Sequence, residues 1–247
     1  MGMNTTITGM VLSSMPISEY DKRVTILTLD RGKISAFARG ARRPNSPLLA
    51  STNPFVFGDF EVYEGRSSYQ LVKAEIKNYF SGITSDLTCT YYGSYFLEEA
   101  AYFSQENTDE KNMVKLLYQT LRALEHEGLE KELVKLIYDW KLLVLEGVYP
   151  NMFSCQCCGS RENLVGFSVS KAGVVCTECI GRESVLPMHP STLYTLQYII
   201  STEIEKLYQF TVSGQVLAEL KELLCQYREK YVGHKFKSEK FLDDILL

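Results

Sequence analysis

The 247-residue chain contains no apolar run near the ~18 residues that a membrane span requires, and its longest candidates are broken by charge. The opening "MGMNTTITGMVLSSM" lacks both the basic and the apolar regions of a secretory signal. Gly2 and Thr6 do match the loose N-myristoylation pattern, but an extra Met-Gly ahead of a natural start at Met3 explains them better. A soluble cytoplasmic protein is therefore expected, in which thiols stay reduced and disulfides are disfavoured.

Reaction-centre motifs are missing too. There is no G-x-x-x-x-G-K-[ST], no G-x-S-x-G, no H-E-x-x-H and no G-x-G-x-x-G. The three histidines, His126, His189 and His234, are scattered and form no ligand pattern. No catalytic residue is assigned, and the expectation is a protein that is not an enzyme. Neither an internal repeat nor a low-complexity tract is present.

What is there is an ordinary globular composition, 45% apolar and 23% charged, with a net charge of −4. The charge is uneven: residues 1–80 carry +3 and the remainder −7. A basic front on an acidic back suggests one face for nucleic acid and another for something else.

The first eighty residues read as five strands. "TITGMVL" alternates, "VTILTL" is β-branched, "DRG" turns into "KISAFARGAR", and "FVFGDFEVY" and "YQLVKAEI" follow. Five short strands in that length suit a small OB-type β-barrel. From about residue 85 the period becomes helical: Leu87, Tyr91 and Tyr95, then Met113, Leu117, Leu121 and Leu124, then Leu133, Ile137, Trp140 and Val144. Helical spacing returns after residue 185, through Leu193, Leu196 and Ile200, then Val216, Leu220 and Tyr227. The expected fold is α+β and multidomain: a barrel (1–80), a helical bundle (81–150 and 186–247), and an inserted module (151–185).

That insert holds five of the seven cysteines. Cys155 with Cys158, and Cys176 with Cys179, form two C-x-x-C units, and 17 residues separate them. A tetrahedral ion needs four converging thiolates, and each tight turn presents two. Gly159 lets the first turn reverse, and "LVGFSVSKAGVVC" reads as strand, turn and strand, which brings the second pair alongside. The reading is a zinc ribbon with one structural Zn2+, since four thiolates leave no open position for catalysis. An iron–sulfur cluster also uses four cysteines, and reduced thiols without metal are a third reading. Cys157 is an alternative ligand with poorer spacing. Cys89 and Cys225 read as small buried hydrophobes.

Between Arg31 and Arg43 stand five cations and no acid. On a strand, period two puts Lys33, Ser35, Phe37 and Arg39 on one face and Ile34, Ala36 and Ala38 on the other. Small apolar residues suit a narrow barrel interior. The outer face then offers cations for phosphates and Phe37 for a base. Arg31 precedes this stretch, and Arg42 and Arg43 continue it into a loop. Solvated charge on an exposed strand is the competing reading, and a slip of one residue would bury Phe37.

The order of these parts resembles the RecO family of bacterial recombination mediators. "ARGARRPNS" is similar to the family's basic "KGARRPKS" and "FKSEKFL" to its closing "LKSRRFL", and the likeness spans residues 3–247. "PNSPL" lacks a basic residue that members often carry, Glu239 stands where Arg is usual, and Cys157 is extra. The resemblance implies a nucleoid-associated DNA repair protein that binds single- and double-stranded DNA and anneals complementary strands. With RecR it would help RecA onto DNA coated by single-strand-binding protein. It also implies capture of that protein's acidic C-terminal tail, for which Arg228, Lys230, Lys235 and Lys237, beside Tyr227 and Tyr231, are candidates. A protein-interaction scaffold that does not touch DNA is the rival class, and a metal-dependent nuclease the third.

Overall fold

A computed structural model describes residues 3–65 and 68–245. Gly2, on which the myristoylation pattern turns, lies outside them. Compactness divides the chain into two units, Met1–Glu125 with Phe236–Leu247, and His126–Lys235. This grouping differs from the expected one: the helices up to residue 124 go with the sheet, and the cysteine module goes with the helices around it.

In the first unit, β1 (Met3–Pro16), β2 (Lys22–Thr28), β3 (Gly32–Ala38), β4 (Phe57–Glu64) and β5 (Tyr69–Asn78) form a sheet in the order β1-β2-β3-β5-β4. It closes because β1 serves two neighbours. Met3–Met10 pair with β4 and Gly9–Pro16 with β2, with a bulge between Val11 and Ser13. An extra residue there bends the strand so that one segment can turn between two partners. Four of the five ladders are antiparallel, and β3 meets β5 in parallel. The interior is filled by Val11, Val24, Ile26, Ile34, Ala36, Ala38, Phe60, Val62 and Leu71. A four-residue helix, α1 (Leu48–Ser51), lies in the connection from β3 to β4.

After α2 (Ser81–Ser85), α3 (Leu87–Phe103) begins where the Asp86 carboxylate accepts the Cys89 backbone N–H at 2.7 Å. It buries Tyr92, Tyr95, Phe96 and Ala100. Leu87, expected on the apolar stripe, sits in the first turn and is exposed. Helix α4 (Lys111–Leu124) buries Met113, Leu117, Leu121 and Leu124, as its spacing suggests. The connection between α3 and α4 grips the β2–β3 turn. Lys33 N–H donates to Gln105 at 2.8 Å, Asn107 N–H to Arg31 at 2.9 Å, and Glu110 N–H to Leu29 at 3.0 Å.

The second unit contains α5 (Lys131–Leu145), a small sheet of β6 (Leu164–Ser168), β7 (Gly173–Cys176) and β8 (Leu186–Pro187), then α6 (Pro190–Ser201) and α7 (Gly214–Tyr231). Two buried charges tie its helices. Lys141 Nζ donates to the carbonyls of Ile199, Ile200 and Thr202, capping the end of α6, and burial holds its pKa below the usual lysine range. Asp139 on α5 receives Lys135 at 2.7 Å and Arg228 of α7 at 3.4 Å. The last helix, α8 (Lys237–Ile245), belongs to the first unit. The Glu98 carboxylate accepts the Lys237 and Ser238 N–H groups at its start, and Phe236 packs against Tyr95, Tyr102 and Phe103.

Among the described glycines, Gly32 leaves the least room for a side chain. Its φ is +62°, and a Cβ there would stand 1.9 Å from the Gln105 carbonyl oxygen. Gly32→Ala is expected to cost more than about 2 kcal/mol, read as a fall in the urea midpoint.

Candidate nucleic-acid interface and metal centre

Strand β3 alternates along its whole length. Ile34, Ala36 and Ala38 are buried, while Lys33, Ser35 and Phe37 face outward. The predicted register holds, and Phe37 is 39% exposed. The six residues singled out around it separate into two groups.

At the start of the strand the cations are occupied. The Arg31 guanidinium pairs with the Glu64 carboxylate at 2.5 Å and reaches Tyr69 Oη at 3.5 Å. Lys33 is half-buried, and its Nζ donates to the Ala101 carbonyl of α3. This end of the strand is where the α3–α4 connection docks, so its charges serve the fold.

At the far end they are available. Arg39, Arg42 and Arg43 are exposed, and none enters an ion pair among the described residues. Arg42 donates to the Ser18 carbonyl at 2.9 Å, and Arg43 lies over the Tyr20 ring at 5.2 Å. Both contacts orient a guanidinium without neutralising it. One acid stands close by. The Asp21 carboxylate accepts the Gly40 N–H at 2.7 Å, and its pKa lies below the usual range. That amide is the largest cause, followed by the Ser18 hydroxyl, with Arg39 and Arg43 adding smaller attraction. Asp21 therefore stays charged and shapes the loop. Lys22 is turned inward, with Nζ donating to Thr52 Oγ1 and Asn53 Oδ1 at 3.0 and 3.1 Å, and burial, then Arg42, lowers its pKa.

Sequence reasoning missed Arg23. It is exposed on β2 and directly opposite Phe37. Period two in "KRVTILT" already set it outward, against buried Val24 and Ile26. Only the strand register brings it to the aromatic ring.

In the second unit, the Sγ atoms of Cys155, Cys158, Cys176 and Cys179 all lie within 4.8 Å of one another. Cys158 and Cys176 are 3.7 Å apart, well beyond a disulfide's ~2.05 Å. The antiparallel β6–β7 pair carries Cys176 to the first turn, where Gly159 takes φ +78°. Burial opposes ionisation of Cys155. The amides of Cys176, Cys157 and Cys158 outweigh it, and bring that thiol down to about 6. Cys179 is pushed up to about 12, first by burial and then by the neighbouring sulfurs. Such a cluster can bind a metal ion, whose charge would let all four thiolates coexist. Cys157 stands outside it, exposed, its N–H turned to Cys155 Sγ at 3.5 Å. Cys89 is buried, as expected, but Cys225 is exposed.

The residues proposed for a protein partner differ in exposure. Tyr227 is 2% exposed, packs tilted against Trp140 and Phe167, and donates its hydroxyl to the Val148 carbonyl. Arg228 faces Asp139. Lys230, Tyr231 and Lys235 are exposed in the second unit, whereas Lys237 belongs to the first.

An N-terminal sheet region, a helical region and four clustered cysteines define an α+β protein with a module that could hold a metal ion. Residues 1–80 match the family described as Recombination protein O N terminal, and residues 84–240 match Recombination protein O C terminal. The chain belongs to the RecO family of DNA repair proteins. The DNA repair protein RecO of Bacillus subtilis (strain 168) is 31% identical over 244 residues, covering 98% of this chain and 95% of its own. That of Desulforamulus reducens is 32% identical over 238 residues, 95% of this chain and 92% of the other. That of Thermoanaerobacter sp. (strain X514) is 30% identical over 238 residues, 96% of each. Among the described residues, no helix is long and apolar enough to cross a membrane.

Elemental analysis checks the ligand set. Cys176→Ser is expected to lose most of the bound metal, and Cys157→Ser to keep it at the level of the unaltered chain.

Proposed function

We propose that this chain is a recombination mediator that binds single- and double-stranded DNA and anneals complementary strands, without catalysing a covalent step. With RecR, it would assist RecA loading onto DNA coated by single-strand-binding protein. One observation carries the DNA part of this reading. An outward aromatic, Phe37, has exposed Arg23 directly opposite it and exposed Arg39, Arg42 and Arg43 just after its strand, and none of the four forms an ion pair among the described residues.

The order of the closed sheet, with β1 serving two neighbours and β3 parallel to β5, supports assignment as an OB-type barrel. Such barrels present strands 2 and 3 to nucleic acid, and β2 and β3 hold Arg23 and Phe37 here. Guanidinium groups neutralise phosphates and release counterions, which lowers the repulsion between two DNA strands. Because the cations grip phosphates, base edges stay open for pairing. Annealing then follows from concentration and screening.

The cysteine module would hold one structural zinc ion. Zn–S bonds of ~2.3 Å in a tetrahedron imply sulfurs ~3.8 Å apart, close to the 3.7 Å between Cys158 and Cys176. Four soft thiolates close the coordination shell, so the ion's task is to brace the fold. For the acidic tail of single-strand-binding protein, Lys230, Tyr231 and Lys235 are the candidates that remain exposed, with Lys237 exposed in the other unit. A cytoplasmic, nucleoid-associated location fits this role.

The test is a titration of a labelled oligonucleotide at two salt concentrations. Arg39, Arg42 and Arg43 changed together to Ala should flatten the slope of log K against log[salt] by about 2, at ~0.7 per phosphate contact. Arg31→Ala should leave it unchanged. An unaltered slope in the triple variant would refute the proposed surface, and salt-independent binding throughout would favour a protein scaffold. Annealing of complementary strands coated with single-strand-binding protein should slow in the same triple variant.

A further inference from the structure

The outward row that carries Phe37 continues beyond β3. Met15 of β1 stands opposite Arg23 of β2, Arg23 opposite Phe37, Phe37 opposite Gln70 of β5, and Gln70 opposite Tyr63 of β4. Residues opposite one another in a ladder share a face, so the five side chains form one line running across the strands. Exposure agrees, at 55% for Met15 and 42% for Tyr63. With strands ~4.8 Å apart, Phe37 and Tyr63 stand about 10 Å from each other, and Gln70 lies between them.

Neither ring packs on another ring or under a cation among the described residues. The line contains no acid. Glu64, next to Tyr63, is paired with Arg31. Farther along the same strands, Glu61 stands opposite Lys73 and accepts a hydrogen bond from Asn4 Nδ2 at 3.0 Å. Arg23 and Gln70 interrupt the apolar residues, which leaves no contiguous patch for a protein core. Separate aromatic faces with a guanidinium beside them match a polymer of flat rings joined by anions.

We infer that Tyr63 is a second stacking residue of the DNA site, and that a single strand crosses the sheet perpendicular to its strands. One base lies on Phe37 and another on Tyr63, with Arg23 at an adjoining phosphate and Met15 extending the apolar floor. This rests on the proposed DNA-binding reading and adds a specificity to it. A duplex hides its base faces inside the stack, so the row selects unpaired bases, whereas the arginines attract phosphates of either form.

The experiment uses the full metal-loaded chain, a labelled oligothymidine of about 16 nucleotides, and a blunt hairpin duplex. Tyr63→Ala should weaken single-strand affinity about five- to a hundredfold, with duplex affinity changed less than about twofold. Tyr63→Phe keeps the ring face and should restore single-strand binding. Tyr63→Leu keeps apolar volume without that face and should not. If Tyr63→Ala leaves single-strand binding intact, or weakens both forms equally, while the triple arginine variant loses both, the second stacking residue is wrong and the DNA surface stands. If neither variant changes binding, both fall together.

Discussion

The narrow interior of a closed five-stranded sheet is the constraint on which the rest depends. Side chains alternate on a strand, and the inner positions of β3 admit only Ile34, Ala36 and Ala38. Every charged or aromatic residue between Lys33 and Arg39 must then point out. A one-residue slip would drive Lys33, Phe37 and Arg39 into a space already filled by Val24, Ile26, Phe60 and Val62. The cost of burying two unpaired cations fixes the register, and the register fixes what the surface offers.

How much of this was legible depends on the range of the interaction. Alternation in "KISAFA" is local, so the outward face of β3 could be read from letters alone. The two C-x-x-C units are local as well, and their spacing gave the cluster before any geometry was known. By contrast, Glu64 lies 33 positions from Arg31, and the Ala101 carbonyl that holds Lys33 is 68 away. No pattern within the strand signals either contact, so two cations that the fold uses looked identical to those it leaves exposed. Arg23 was hidden for the opposite reason: it became relevant only when β2 paired with β3. Tyr227 fell both on the apolar stripe of its helix and among the partner candidates, and it is the stripe that holds: it packs on Trp140 and Phe167, residues from an earlier helix and from the cysteine module. Buried ties such as Lys141 to the end of α6 are invisible in the same way, because a carbonyl acceptor has no letter.

The cysteine cluster shows a second kind of constraint, one of charge. One thiol is drawn down to about 6 and another is pushed up to about 12 within a space where no sulfur is farther than 4.8 Å from the next. Four neutral thiols pack there only as weak hydrogen-bonding groups, and four thiolates would repel. A bound cation would resolve the conflict, and would help two short turns and a three-stranded sheet hold together around the small cluster of Cys155, Val175, Cys176 and Cys179 with Leu164 and Val185 against it.

The two ends of β3 also explain how a small sheet could offer cations to a polyanion without losing its own support. The end gripped by the α3–α4 connection uses its cations internally, so their loss would be felt by the fold. At the other end, Arg42 and Arg43 are oriented by a carbonyl and a ring, contacts that leave the full positive charge facing solvent. Orientation without neutralisation lowers the entropy lost when a phosphate arrives. Asp21 fits the same scheme, since its strongest tie is to a backbone amide and its pull on Arg39 and Arg43 is weaker. The acid holds the turn in shape while the arginines remain free for the partner that the proposed function requires.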